Sequence, residues 1–444
     1  RMMDKVSIIR GDPMIAIMMA DAEFQVEEAK NWRKQRRSLK ISLQTEPLHK
    51  RIIAWLGKHL CEEKVQQDLT ETAILERTII KLGSLLALGF GEAGANIIGN
   101  NISGMETASV NAMIPGERVT CIIGSVRIRD FSSATEVLQS KVMAFANQIA
   151  EIVHGVCDEY LGAPNKNNGD SFLIIWRTQA LQESLQSRMA DLSIITFSRI
   201  LSEVHQSPLL AGYREHPGLQ NRLGSKCRVN LSFGLHSGWC IEGAVGSEFK
   251  INASYLSPNV NIAESLEHAT RVYDVSFIVS ETVVKMCTQA IASKCRLIDK
   301  VIIKGSRRPL EIHVIDLDVQ VLEVASQGQK IPWTTRQRFK ARQILELEKA
   351  TKLSQEVQTV SLFDGCRAIA QMRKSFTVDF QQLFNMGYQN YSQGEWAVAA
   401  RLLEHTHTML GFKDGPSGAL LSFMRTPYAL EAPESWSGVH VLKG

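Results

Sequence analysis

The chain has 444 residues, 44% hydrophobic and 22% charged, a globular composition that excludes global disorder and leaves room for about two or three domains. Its eight cysteines include no C-x-x-C pair, which argues against a disulfide scaffold or zinc ribbon and for a reducing, intracellular setting. No run of about 18 apolar residues offers a membrane span, and a net charge of +4 is too small to point to nucleic acid.

The charge is uneven. Residues 1–60 hold twelve Lys/Arg against seven Asp/Glu, concentrated in Lys30, Arg33, Lys34, Arg36, Arg37 and Lys40. Residues 30–40 therefore read as a solvated helix face, a surface for an acidic partner, or a patch for anionic lipid at roughly 1 kcal/mol per basic residue. No signal-peptide pattern opens the chain, which begins on Arg1 and so reads as continuing upstream. Residues 1–64 are expected to be a basic helical region, with a helix over 14–44. Residues 65–117 are expected to hold a signalling-type helix and a linker. Leu69, Ile74, Ile79, Leu82, Leu85 and Leu86 fall near helical spacing, suiting either a short coiled coil or a packed surface helix. Gly89, Gly91 and Gly94 formally match G-x-G-x-x-G, but a helix precedes them and no acid follows at the right distance, so they read as a loop or helix terminator.

From Arg118 the texture becomes mixed. Val119–Ile128 suits a buried strand, Thr135–Tyr160 has helical period, and the turn Asn165–Asp170 leads into the apolar strand Phe172–Trp176 as a hairpin. A polar stretch to about Ser225 carries no clear element. Strand-turn-strand follows at Val229–Val245, then a helix over Asn259–Tyr273, a strand at Phe277–Val279, a helix capped by Ser280, and strands at Leu297–Ile303 and Glu311–Ile315. The order is β-α-β-β-α-β with additions, an α+β ferredoxin-like sandwich with helices on one sheet face. Residues 317–444 are expected to be a helical extension. It has a polar helix at Arg336–Gln358 and an antiparallel pair within Phe380–Leu410 that resembles one tetratricopeptide unit (Gly387, Tyr391, Gly394, Trp396, Ala399, Ala400). Such a pair must dock on something to bury its face. The tail with Pro416, Pro427 and Pro433 reads as extended and packed.

Three segments within 118–316 together resemble the class III adenylyl/guanylyl cyclase family. Val126-Arg127-Ile128-Arg129-Asp130-Phe131-Ser132, with Thr135-Glu136 behind it, is similar to D-I-x-x-F-T and a T-E pair. Asn165–Trp176 is similar to N-K-x-x-G-D-x-x-L-x-x-W. Phe233–Gly238, continued by Val260–Glu267, is similar to a third motif ending V-N-x-A-x-R-L-E. Gly415-Pro416-Ser417 and Trp436-Ser437-Gly438 are similar, more loosely, to a tail behind some members.

The resemblance implies attack of a ribose 3′-hydroxyl on the α-phosphorus of ATP or GTP. Two Mg²⁺ or Mn²⁺ ions on two aspartates would assist it, at sites formed between head-to-tail cyclase-type domains. Position by position, the first metal aspartate falls on Arg127 and the second on Asp170. The transition-state arginine falls on Ser265, and its companion asparagine on Asn261. Lys166 matches the lysine that reads adenine, whose usual assisting aspartate falls on Ser254. Lys304 matches a lysine that approaches the phosphates. A guanidinium about 4 Å from a divalent ion opposes it by up to ~8 kcal/mol at an effective dielectric near 20, and loss of one transition-state donor costs roughly 2.7–4 kcal/mol.

The expected function is therefore a pseudocyclase, a structural or regulatory subunit in a larger assembly. Asp170 and Asn261 would be vestigial, and Arg127, Lys166 and Lys304 would be available to a nucleotide without metal. The alternative reading of Arg127 is a salt bridge to Asp170 or Asp130. The alternative function is an active cyclase using Mg²⁺ or Mn²⁺ with ATP or GTP. A third reading is a sensor with a membrane part before Arg1, its signal passed on by the helix at 65–88. Expected partners are another cyclase-type domain or a large protein assembly, with an anionic membrane surface at residues 30–40 and no nucleic acid. The expected setting is cytoplasmic, at a membrane's inner face or in a cilium-type assembly.

Overall fold

The computed structural model describes residues 114–442, apart from 180, 225–226, 248–249, 327–334 and 355, together with positions 75, 78–83, 85, 89 and 94. The expected helix over 14–44 and the basic stretch 30–40 lie outside the described residues. The chain divides into two compact units, Arg1–Val110 with Lys330–Glu346, and Asn111–Gln329 with Leu347–Gly444. In the first, every described position from Leu75 to Gly94 is helical, with Leu82 and Leu85 exposed. Gly89 and Gly94 are helical, so neither sits in a loop, and Gly91 lies outside the described residues. Among the described residues no helix is long and apolar enough to cross a membrane.

The second unit is built on one sheet. Its strands are β1 (Glu117–Ile128), β2 (Ala163–Asn167), β3 (Ser171–Arg177), β4 (Leu231–Ser247), β5 (Lys250–Leu256), β6 (Phe277–Ser280), β7 (Cys295–Ile302), β8 (Leu310–Ile315) and β9 (His440–Val441). They run in the order β2-β3-β1-β4-β6-β8-β7-β9, with β5 paired to the outer half of β4. β1 lies between β3 and β4, antiparallel to both, which explains why its apolar run lacks a polar face. Gly169, at φ 72°, turns the β2–β3 hairpin.

Helices cover both faces, not one. β6 shows the division, sending Phe277 and Val279 into one core and Ile278 into the other. The larger core lies under α1 (Phe131–Leu138), α2 (Val142–Glu159) and α3 (Glu183–Gln206). The second lies under α4 (Pro258–Val272) and the helices after Thr377, whereas Phe363, Ile369 and Met372 join the larger core.

α3 is the element that the sequence hid. It occupies the stretch read as featureless, yet Leu192, Ile195, Phe197, Ile200 and Leu201 are buried alongside Ser193, Thr196, Ser198 and Ser202. Those hydroxyls donate back to helix carbonyls: Ser193 to Ala190, Thr196 to Leu192, Ser198 to Ile194 and Ser202 to Arg199, at 2.7–2.9 Å. A hydroxyl satisfied in this way can be buried at little cost, so a polar sequence makes a core helix. β4 is a second difference. It is one 17-residue strand through the expected turn, and the reversal comes only after Ser247. Gly238 is small for another reason: a Cβ there would lie 2.4 Å from Asn259 Cγ.

The C-terminal segment folds back as α5 (Thr359–Asp364), α6 (Val378–Gln393), α7 (Trp396–Met409) and α8 (Gly415–Arg425). α6 and α7 are joined through Gly394 at φ 89°, and they dock on β7 and β8 through Phe384, Tyr391, Trp396 and Leu403. Pro416 is not in an extended tail; it occupies the first turn of α8, where its missing N–H costs nothing.

Arg296 of β7 fixes this layer. Its side chain is 3% exposed and donates to Asp316 at 2.7 Å and to Asp414 at 2.8 Å. Its guanidinium carbon lies 4.2 Å from the Phe384 ring centre. Asp414 in turn caps α8 at the Ser417 N–H, 2.9 Å away. We predict that Arg296→Met costs about 3–5 kcal/mol in urea unfolding, because it strands two buried carboxylates; a cost under 1 kcal/mol would show the latch to be incidental.

His205, near the end of α3, is 1% exposed, and neither ring nitrogen has a partner. Burial, then Arg228 and Arg214, lower its pKa to about 4. A depressed histidine is tolerated while neutral, so stability is complete above pH ~6.5 and falls as the pH drops towards 4, by roughly 3 kcal/mol at full protonation. The urea midpoint should fall between pH 7 and 4.5, and His205→Leu should reduce that fall.

Candidate functional site

An open cleft of about 630 Å³ lies between the β2–β3 hairpin, the β4–β5 ribbon and the first turns of α4. α4 reaches the sheet closely because Gly234 of β4 has no side chain; a Cβ there would lie 2.2 Å from the Ala263 carbonyl oxygen. Ser257 caps α4 at the Asn259 N–H, and both Ser257 Oγ and Asn259 Nδ2 donate to the Trp239 carbonyl. These contacts set the side chains of α4 against the cleft. Across it, Asn165 Nδ2 of β2 donates to Ala253 O of β5 at 3.3 Å.

Arg127, at the end of β1, lies at the cleft wall. Its Nη1 donates to Asp170 Oδ2 at 2.8 Å and its Nε to Glu267 Oε2 at 2.9 Å. Asp130 is not a partner; it precedes α1 in left-handed backbone at φ 55°. Of the alternatives raised for Arg127, the structure has the pairing with Asp170 and adds Glu267. Burial works against the charge of Arg127, but Glu267 and then Asp170 outweigh it and raise the pKa further. Glu267 is fully buried on the sheet-facing side of α4, where its other oxygen accepts from Ser232 Oγ at 2.5 Å.

The remaining residues divide. Lys166 and Asn261 line the cleft, as does Ser254 on the facing strand, and Lys166 and Asn261 are exposed. Ser265 is not part of the cleft lining; its hydroxyl donates to the Lys304 carbonyl at 2.9 Å, tying α4 to the β7–β8 turn. The Lys304 side chain is exposed and is not part of the cleft lining. Asp170 stands behind Arg127, also outside the lining.

His236 sits mid-strand in β4. Its Nδ1 meets Ser280 Oγ at 2.9 Å and its Nε2 meets Asn259 Oδ1 at 3.2 Å. Sequence reasoning quoted Glu267 in the third motif without a role. The available signal was an acid on the buried stripe of α4 among Ala263, Leu266 and Thr270, where its charge needs a cation or hydrogen-bond donors.

A pair of divalent cations does not fit these residues. Of the two expected carboxylates one is replaced by Arg127, and the other, Asp170, is neutralised by that guanidinium. Among the described residues no group of three His, Cys, Asp or Glu could hold a metal ion. The arrangement can close a wall and present polar groups, but among its lining residues it offers a cation only the single carboxylate of Glu264.

The structure makes the roles of the carboxylates separable. Arg127→Met leaves Glu267 buried without a cation and should cost about 3–5 kcal/mol in urea unfolding at pH 7. Asp170→Asn, at a side chain 30% exposed, should cost under about 1 kcal/mol. Equal costs would overturn the assignment of Glu267 as the principal partner.

Comparison with known proteins gives three kinds of likeness. Residues 117–316 match the model of the adenylate and guanylate cyclase catalytic domain, and residues 1–103 match that of the RasGEFs all helical domain. An adenylate cyclase of Anabaena cylindrica is 23% identical over 190 residues, covering 42% of this chain and 35% of that protein, so the chain spans about a third of that relative's length. A bacterial light-regulated adenylyl cyclase of known structure is 21% identical, with 66% of this chain and 71% of that one covered at a TM-score of 0.44. For the adenylyl cyclase CyaB from P. aeruginosa the identity is 17%, the coverage 49% and 100%, and the TM-score 0.35.

Proposed function

Residues 117–316 are a class III nucleotide cyclase domain, and from that premise we propose that the chain is a pseudocyclase, a regulatory or structural module that keeps the cyclase scaffold without its chemistry. The observation that carries this reading is the Arg127 guanidinium, 2.8 Å from Asp170 and 2.9 Å from Glu267, in the position of a metal-binding aspartate. Ser265, in the position of the transition-state arginine, is committed to the Lys304 carbonyl. As the metal-bearing half of a dimer the domain lacks a carboxylate, and as the arginine-bearing half it lacks the arginine. Pairing with an intact domain therefore completes neither of the two shared sites.

The cleft supports a modest role for nucleotide. The charged residues lining it are Arg127, Lys166 and Glu264, and the charge of Arg127 is shared between two carboxylates. Lys166 with Asn165 and Ser254 suits the polar edge of a base, while a triphosphate would find little compensation. The same face suits another cyclase-type domain as partner, since Trp239, Leu256 and Val245 on the β4–β5 ribbon are 39%, 57% and 45% exposed. The match of residues 1–103 to a helical domain of Ras exchange factors favours an intracellular signalling setting.

The test is turnover. With ATP or GTP and Mn²⁺ the purified chain should form no cyclic nucleotide above a heat-inactivated control, alone or mixed with an active cyclase domain. The double variant Arg127→Asp with Ser265→Arg should gain activity if the rest of the scaffold is sound. Cyclic product from the unaltered chain would reject the pseudocyclase reading.

A further inference from the structure

Two of the cysteines that look scattered in sequence meet in the sheet. Cys121 of β1 and Cys240 of β4 are 119 positions apart, yet their Sγ atoms are 3.6 Å apart. Cys121 lies opposite Gly238 and Cys240 opposite Val119, so the thiols are diagonal neighbours on one face of an antiparallel pair. Both are free and fully buried. An S–S bond is about 2.05 Å long, and a disulfide ordinarily spans no more than about 6.8 Å between Cα atoms, whereas diagonal strand neighbours lie about 7–8 Å apart. Closure therefore requires β1 and β4 to shift locally as well as the sulfurs to approach by about 1.5 Å.

The pair is chemically unequal. The Cys121 S–H points at Cys240, which lowers the pKa of Cys240 and raises that of Cys121. Ser257 also bears on Cys240 and lowers it further. The hydrogen bond places the proton between the sulfurs on Cys121, while burial opposes a thiolate on either one. Neither thiol lines the cleft; the link to it is Ser257, whose hydroxyl reaches Cys240 and which is part of the lining.

We propose that Cys121 and Cys240 are an oxidisable pair, which a small hydroperoxide entering from the cleft converts to an intrachain disulfide. The Cys240 thiolate attacks one peroxide oxygen; the O–O bond breaks, the alcohol or water leaves, and a sulfenic acid remains on Cys240. The Cys121 sulfur then attacks that sulfur and displaces water. Two thiols and one hydroperoxide become one disulfide, one alcohol (or water) and one water, with two electrons passing from the sulfurs to the peroxide. The bond would tie β1 to β4 beside the Trp239 carbonyl that holds the start of α4. This inference does not depend on whether the cleft turns over nucleotide.

The test uses the full, reduced chain exposed to hydrogen peroxide, alkylated without reductant, digested and read by mass spectrometry. The expected result is a Cys121–Cys240 linked peptide and a loss of two of the eight thiols, restored by dithiothreitol. Cys121→Ser, shown to be folded by circular dichroism, should lose the link and leave a sulfenic acid on Cys240 that dimedone traps. If that variant does not fold, the unaltered chain decides the matter. The proposal fails if both thiols stay alkylatable at a peroxide dose that oxidises another cysteine of the chain. It also fails if Cys240 pairs with several cysteines, or if dimedone finds nothing on Cys240 in the folded variant.

Discussion

A carboxylate with no exposed surface needs its charge compensated, and Glu267 has Arg127 on one oxygen and the Ser232 hydroxyl on the other. Most of what is distinctive in this domain follows from that pairing. It draws the end of β1 towards α4 and recruits Asp170 from the β2–β3 hairpin. In the proposed reading, a guanidinium that holds its neighbours stands where the family carries a metal-binding carboxylate, and the same charge neutralises Asp170.

The C-terminal layer obeys the same rule at another place. Arg296 is shared between Asp316, just beyond β8, and Asp414, at the start of α8, so the end of the domain and the cap of a later helix depend on one guanidinium. α3 anchors further segments. Arg188 donates to the carbonyls of Lys352 and Val357, and Asp191 accepts from Thr288 and from Thr359 at the start of α5. Burial pushes the Asp191 carboxyl up, against the pull of these hydrogen bonds. The segment after Asp316 is joined to the sheet by buried ionic and hydrogen-bonded contacts as well as by apolar area, which distinguishes it from an appended helical pair.

The strands and the hairpin were legible because apolar runs between turn residues have few other solutions. β1, β3, β6, β7 and β8 lie within a few residues of their expected bounds. The helix-paired segment in α6 and α7 was legible from its small and aromatic positions. α3 was not, because its buried serines and threonines make the stretch polar on average, although Leu192, Phe197, Ile200, Leu201 and Val204 recur near helical spacing. The turn expected in β4 was misplaced because glycine marks close approach as well as reversal; Gly234 and Gly238 admit α4, and the chain turns only beyond Ser247. At the site, Arg127, Asp170 and Ser265 could be placed by motif position. The partners of Arg127 and Ser265 could not all be placed, since Glu267 lies 140 residues from Arg127 and the Lys304 carbonyl carries no side-chain signature.

The uninterrupted run of β4 has a mechanical meaning. From Ser247 at the ribbon's tip to Ser232 beneath Glu267 is a single extended backbone, roughly 50 Å long at the usual strand rise. An extended strand is stiff along its length, so a grip on the protruding arm is felt at the far end without passing through a hinge or loop. A body that seizes the tip therefore holds a lever whose other end rests on the serine that steadies the buried acid.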